Sequence, residues 1–177
     1  MAYLLDANVF IQGRKLHYGF DICPGFWDWI EKQSARGLVR SIEEVGRELE
    51  AGTDELAGWA SAHGDDLFLP SDPIMLPSLQ AVSAWVTSRA YMPAAISTFL
   101  QVADYYLVAR AHAHGDTVVT HEVASQAQRK VKIPDVCIGM NVRFMNPFEM
   151  LRAERVRLVV GQDTASPDLK FPPSTNT

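Results

Sequence analysis

Along Ala103 to His114, the residues Asp104, Leu107, Val108 and Ala111 recur at i, i+3, i+4 and i+7. That spacing is one face of a helix turned towards a core, with an acid at its head. Gly115 follows His112 and His114, which predicts the helix end: glycine tolerates the left-handed conformation, and partly cationic groups face the negative end of the dipole. Thr117, Val118, Val119 and Thr120 are all β-branched, and so short and apolar a run predicts a strand covered on both faces by helices. Glu122 lies just past it. A helix feeding a buried strand is half of a parallel α/β repeat, and open parallel sheets bind ligands outside the carboxyl ends of their strands.

The same reading extends along the chain. Residues 2 to 5 are apolar and predict a first strand ending at Asp6, with Asn8 in the turn and a helix or loop after it. Phe26, Trp29 and Ile30 share a helical face in an aromatic-rich stretch, which predicts core packing. Ser41 and Glu44 form an S-x-x-E capping box, which predicts a helix from Ser41. Ile42, Val45 and Leu49 mark its buried face, with Glu48 at the border. Asp54 suits the cap of the next helix, Leu67 to Pro70 a short strand, and Ser71-Asp72-Pro73 the opening of a helix carrying Leu79, Val82, Trp85 and Val86. Pro93 to Val102 is helical too. Val142 to Met145 predict the last strand, and Asn146, Pro147 and Glu149 a second cap signature. Asp135 reads as a turn residue or a further acid. From about Gln162 the composition turns to Asp, Ser, Pro and Thr, so the expectation is one domain over 1–160 and a disordered tail over 161–177.

Composition narrows this picture. With 177 residues, 47% of them hydrophobic and 21% charged, the chain suits one soluble domain with a substantial core. A net charge of -5 argues against a general electrostatic coat on nucleic acid, though not against an enzyme that meets nucleic acid through bound cations and a local basic patch. Cys23 and Cys137 supply neither a disulfide framework nor a thiolate cluster. Without a run of about 18 apolar residues no membrane span is expected, and an N-terminus that already reads as a core strand points to the cytoplasm.

Four acids are thereby predicted to converge on one sheet edge: Asp6 after the first strand, Glu48 beside a helix core face, Asp104 at a helix start and Glu122 after the Thr-rich strand. Singly, Asp104 reads equally as a helix cap and Glu122 as a solvated loop residue. Together, buried carboxylates repel one another unless protons or divalent cations neutralise them. Mg²⁺ and Mn²⁺ take oxygen ligands of this kind, and metal ions held by carboxylates promote phosphodiester hydrolysis. Arg129, Lys130 and Lys132 either steer a polyanion to that edge or form a solvated loop. A phosphatase with Asp6 as nucleophile would need an acid two residues on, where Asn8 stands.

The Leu-Asp-Ala-Asn-Val-Phe-Ile start, the Val-Gly-Arg-Glu-Leu helix, Ala-Asp-Tyr-Tyr-Leu-Val-Ala-Arg-Ala and the Val-Val-Thr-His-Glu strand end resemble the PIN-domain nucleases. Gly-Phe-Trp-Asp-Trp, Lys-Ile-Pro-Asp-Val-Cys and Pro-Phe-Glu-Met-Leu-Arg bring the chain closest to a bacterial PIN-like, VapC-like subfamily, over roughly Met1 to Val160. The resemblance implies a three-layer α/β/α domain with a central, mainly parallel sheet. It also implies a Mg²⁺- or Mn²⁺-dependent endoribonuclease, often the toxin partnered by an antitoxin protein, and often a homodimer. By position, Asp6, Glu48, Asp104 and Glu122 take the catalytic and metal-binding roles, with Asn8 and Thr120 in support. Thr120-His-Glu122 departs from the Thr-x-Asp of many PIN domains. A catalytically inactive PIN-like module that binds RNA or protein is the alternative expectation.

Overall fold

The structure, a computed structural model, describes residues 1–125 and 127–159. The tail expected over 161–177 lies outside them.

Apolar strand runs and amphipathic helices alternate along the chain. Tyr3–Leu5 (β1) leads to Ala7–Gln12 (α1), a π-helical turn Gly13–His17 and Pro24–Ala35 (α2). Then come Val39–Ile42 (β2), Glu43–Glu50 (α3), Glu55–Ala62 (α4), Gly64–Leu67 (α5) and Phe68–Leu69 (β3). A 3₁₀ turn at Pro73–Met75 opens Leu76–Thr87 (α6), followed by Pro93–Phe99 (α7), Ala103–His114 (α8) and Thr117–Val119 (β4). Ile133–Met140 (α9), Arg143–Met145 (β5) and Pro147–Ala153 (α10) complete the domain.

The strands form one five-stranded sheet in the order β3-β2-β1-β4-β5, with every pairing parallel. Helices cover both faces: α6, α8 and α9 pack together on one side, and α2 with α5 on the other, giving the expected three-layer α/β/α arrangement. Leu4, Leu5, Val39, Ile42, Val118 and Val119 fill the sheet's two faces and are buried almost completely. No helix among the described residues is long and apolar enough to cross a membrane.

Helix ends follow local chemistry. Gly115 adopts φ 71°, the left-handed stop expected after α8. Asp54 accepts from the Ala57 amide, Asp72 from the Ile74 amide, and Asn146 and Glu149 form a complete capping box. Three local expectations fail. Ser41 does not cap a helix: it sits in β2, and its hydroxyl donates to the Leu5 carbonyl at 2.6 Å, because pairing with β1 and β3 keeps the chain extended through Ile42. Asn8 lies inside α1 rather than in a turn. Asp135 belongs to the first turn of α9, where Pro134 starts a helix instead of bending a loop. Trp29 packs half-buried against the core that holds Phe26 and Ile30, as expected, and Trp27 is buried there too, held by an indole N–H bond to the Tyr18 carbonyl at 2.6 Å.

Candidate functional site

The sheet order reverses direction at β1: the chain goes to β2 on one side and places β4 on the other. That switch point is where an open α/β sheet leaves a crevice beyond its strand ends. Asp6 and Thr120 each extend the ladder one residue past a strand, through Asp6 N–H to the Val119 carbonyl (3.0 Å) and Thr120 N–H to the Met145 carbonyl (3.1 Å). Their side chains meet at the crevice. The Thr120 hydroxyl donates to Asp6 Oδ2 at 2.7 Å while accepting from Asn8 Nδ2 at 3.1 Å and from the Glu122 amide at 3.0 Å. Asn8 Oδ1 accepts in turn from the His121 amide at 3.0 Å. The hydroxyl's one donor and two acceptor sites are all used, so Asp6 is held in one orientation. Since α8 leads into β4, its first turn lies at the carboxyl edge, which brings Asp104 to the crevice. Helix α3 leaves the end of β2 and brings Glu48 to the same place.

An open cleft of about 900 Å³ results, lined by Asp6, Asn8, Glu44, Glu48, Asp104 and Glu122, with Arg47, Arg129 and Lys130 around them. Burial, reinforced by the Asp104 and Glu122 charges, pushes the Asp6 carboxyl up to about 7 against the opposing Thr120 hydrogen bond. For Asp104, burial followed by the charges of Glu122 and Glu48 outweighs nearby Lys130 and raises the group to about 6. Glu48 is raised by burial alone. Glu122 is differently situated: Oε1 accepts from Lys130 Nζ at 2.7 Å and Oε2 from the Ile133 amide at 3.0 Å. Its hydrogen bond, ahead of the surrounding negative charges, raises the Lys130 ammonium in return.

The four predicted acids thus come to one cleft, with Asn8 and Thr120 beneath Asp6. Among the described residues, however, no three His, Cys, Asp or Glu side chains stand close enough to enclose an ion in this arrangement. The donor chemistry still suits a hard divalent cation. Asp6 is 4% exposed, and burial and neighbouring carboxylates keep both it and Asp104 from ionising, with Lys130 offsetting only part of this at Asp104; a divalent cation would supply the rest of the positive charge.

A family comparison matches residues 3–158 to DUF4411, a domain of unknown function. The chain belongs to that family. Among curated proteins, none matches it.

Two residues of this DUF4411 domain have larger parts in the cleft than their local sequence suggests. Glu44, free of any cap, lines the cleft with Oε2 buried and unpartnered, while Oε1 accepts from the Ser71 hydroxyl at 3.3 Å. The signal was its i, i+4 spacing from Glu48, which puts both acids on one helix face. Lys130 reaches Glu122 through the fold of the β4–α9 connection, which no local spacing reveals. Asp135 stays outside the cleft and accepts from the Ser125 amide at 2.8 Å. Arg14 pairs with Asp54 at 2.9 Å. The two cysteines are free thiols, and burial pushes that of Cys137 up to about 12.

Proposed function

We propose that this domain is a divalent-metal-dependent endoribonuclease hydrolysing RNA phosphodiester bonds in the cleft at the β1–β4 switch point. One observation carries the reading: buried Asp6 and half-buried Asp104 line one cleft with Arg47, Arg129 and Lys130 around it, and the Asp104 charge adds to the burial that keeps Asp6 from ionising. Asp6 and Asp104 would hold Mg²⁺ or Mn²⁺, with Glu48 lining the same cleft. Bound there, the cation supplies Lewis-acid stabilisation of phosphate charge and a more acidic water.

The chain's own residues do the rest. Thr120 and Asn8 fix the Asp6 carboxylate, so its orientation need not be set at the moment of reaction. Arg129 lines the cleft without an ion pair among the described residues and offers positive charge to a polyanion, while Arg47 pairs with Glu43 and Glu44 and Lys130 with Glu122. Glu122 completes the acidic group while paired to Lys130. RNA as the polyanion, a cytoplasmic toxin role, an antitoxin partner and a homodimer rest on the resemblance to PIN-domain nucleases.

A second reading, an inactive PIN-like module that binds RNA or protein, is favoured by the Lys130–Glu122 pair and the absence of a closed trio of donors among the described residues. Incubating purified protein with single-stranded and structured RNA separates the two. Cleavage that needs Mg²⁺ or Mn²⁺, stops with chelator and falls roughly a hundredfold or more in Asp6→Asn and Asp104→Asn is the expected result. No metal-dependent cleavage, or an Asp6→Asn variant equal to wild type, overturns the nuclease reading.

A further inference from the structure

We propose that Lys130 is a built-in cation that occupies Glu122, so that the cleft takes one divalent ion, at Asp6 and Asp104, and not two. This rests on the metal-dependent reading above. Three observations support it. First, both Glu122 oxygens are engaged, Oε1 by the Lys130 ammonium at 2.7 Å and Oε2 by the Ile133 amide at 3.0 Å. Second, the pair belongs to the cleft itself: both residues line it, and the Glu122 side chain is only 12% exposed. Third, among the described residues no side-chain cation pairs with Asp6, Glu48 or Asp104, while Glu44 has Arg47 at 3.7 Å. The ion pairs of the described residues include Lys130 with Glu122 but none to Asp6, Glu48 or Asp104.

The division of labour follows from charge. Five carboxylates line the cleft, and with Arg47 beside Glu44 and Lys130 on Glu122, only Asp6, Glu48 and Asp104 are left without a side-chain cation, a charge that one divalent ion and no second metal brings close to balance. The ammonium and the backbone amide each take up a lone pair on one Glu122 oxygen, and the ammonium's charge disfavours a divalent ion at the same carboxylate. The site thereby assembles its second positive charge from sequence. The extra methylene of Glu122, where many PIN domains have Asp, gives the carboxylate the length to meet the β4–α9 connection.

Titration calorimetry with Mn²⁺ on chelator-treated full-length protein tests this. Wild type should bind one ion, and Lys130→Met should bind two, the second more weakly. Lys130→Met combined with Glu122→Gln should return to one, and Lys130→Arg should stay at one. Two ions in wild type, or one in Lys130→Met, overturns the proposal while leaving the metal-dependent reading intact. No binding by wild type overturns both. Circular dichroism of each variant confirms folding. If Lys130→Met does not fold, Glu122→Gln alone decides: one ion bound with affinity within about threefold of wild type supports the proposal, and a loss of tenfold or more refutes it.

Discussion

Replacing Asp6 by Asn should stabilise the metal-free protein at neutral pH while removing its activity. The carboxyl is raised from 3.8 to about 7, a little over three pH units, and each unit corresponds to about 1.4 kcal/mol. Below about pH 4 the folded and unfolded chains both carry the proton, and no penalty arises. Between about pH 4 and 7 the unfolded chain ionises while folded Asp6 keeps its proton, so stability falls as pH rises and then levels off. The ceiling is about 4 kcal/mol at pH 7.5. Asp104, raised to about 6, shares part of this interaction, so the two contributions do not simply add.

An Asn side chain keeps an oxygen for the Thr120 hydroxyl and carries no charge to bury. Allowing half the ceiling for imperfect pairing of the new amide, a cost that does not vary with pH, Asp6→Asn should lose about 1–2 kcal/mol at pH 4 and gain about 2 kcal/mol at pH 7.5. For a chain of this size that is a rise of roughly 4–8 °C in Tm. Urea unfolding followed by the fluorescence of the four tryptophans, with chelator present, gives the comparison from pH 4 to 8. Groups common to both chains cancel in the difference. A variant less stable than wild type at pH 7.5, or a difference flat across that range, refutes the account of Asp6.

Other perturbations test other links. Thr120→Val strips Asp6 of a donor and leaves Asn8 and the Glu122 amide without an acceptor; a loss of about 1–3 kcal/mol in urea unfolding is expected, with Mn²⁺ affinity down roughly tenfold or more by calorimetry. Gly139→Ala should lower Tm: helix propensity favours Ala by about 1 kcal/mol, but the added Cβ would clash with the Trp85 ring, and overpacking of that kind costs about 1–3 kcal/mol or more. Ser41→Ala should cost about 1–3 kcal/mol in urea unfolding with helix content by circular dichroism unchanged, because the hydroxyl serves the Leu5 carbonyl and not a helix end.

Legibility from sequence followed the range of the interactions involved. The ends of α8 and α10 and the placement of β4 depend on neighbours a few residues away, and Gly115, Asn146 and the Thr117–Thr120 run announced them. Asp6, Asp104, Glu48 and Glu122 were readable as a group because strand ends and helix starts in a parallel α/β repeat share one edge. Ser41 misled because a four-residue capping pattern ignores the two strands that flank β2, and that pairing decides. Glu44 was hidden behind the same pattern. The Lys130–Glu122 pair joins residues eight apart in a stretch without helix or strand periodicity, where sequence showed only a run of cations.

The most direct measurement is an anomalous difference map from crystals soaked in Mn²⁺ at neutral pH. A single peak touching the carboxylates of both Asp6 and Asp104, with Lys130 still paired to Glu122, is the predicted result. A cleft without a peak, while Asp6 and Asp104 remain side by side, would contradict the claim that these acids are gathered to hold a cation.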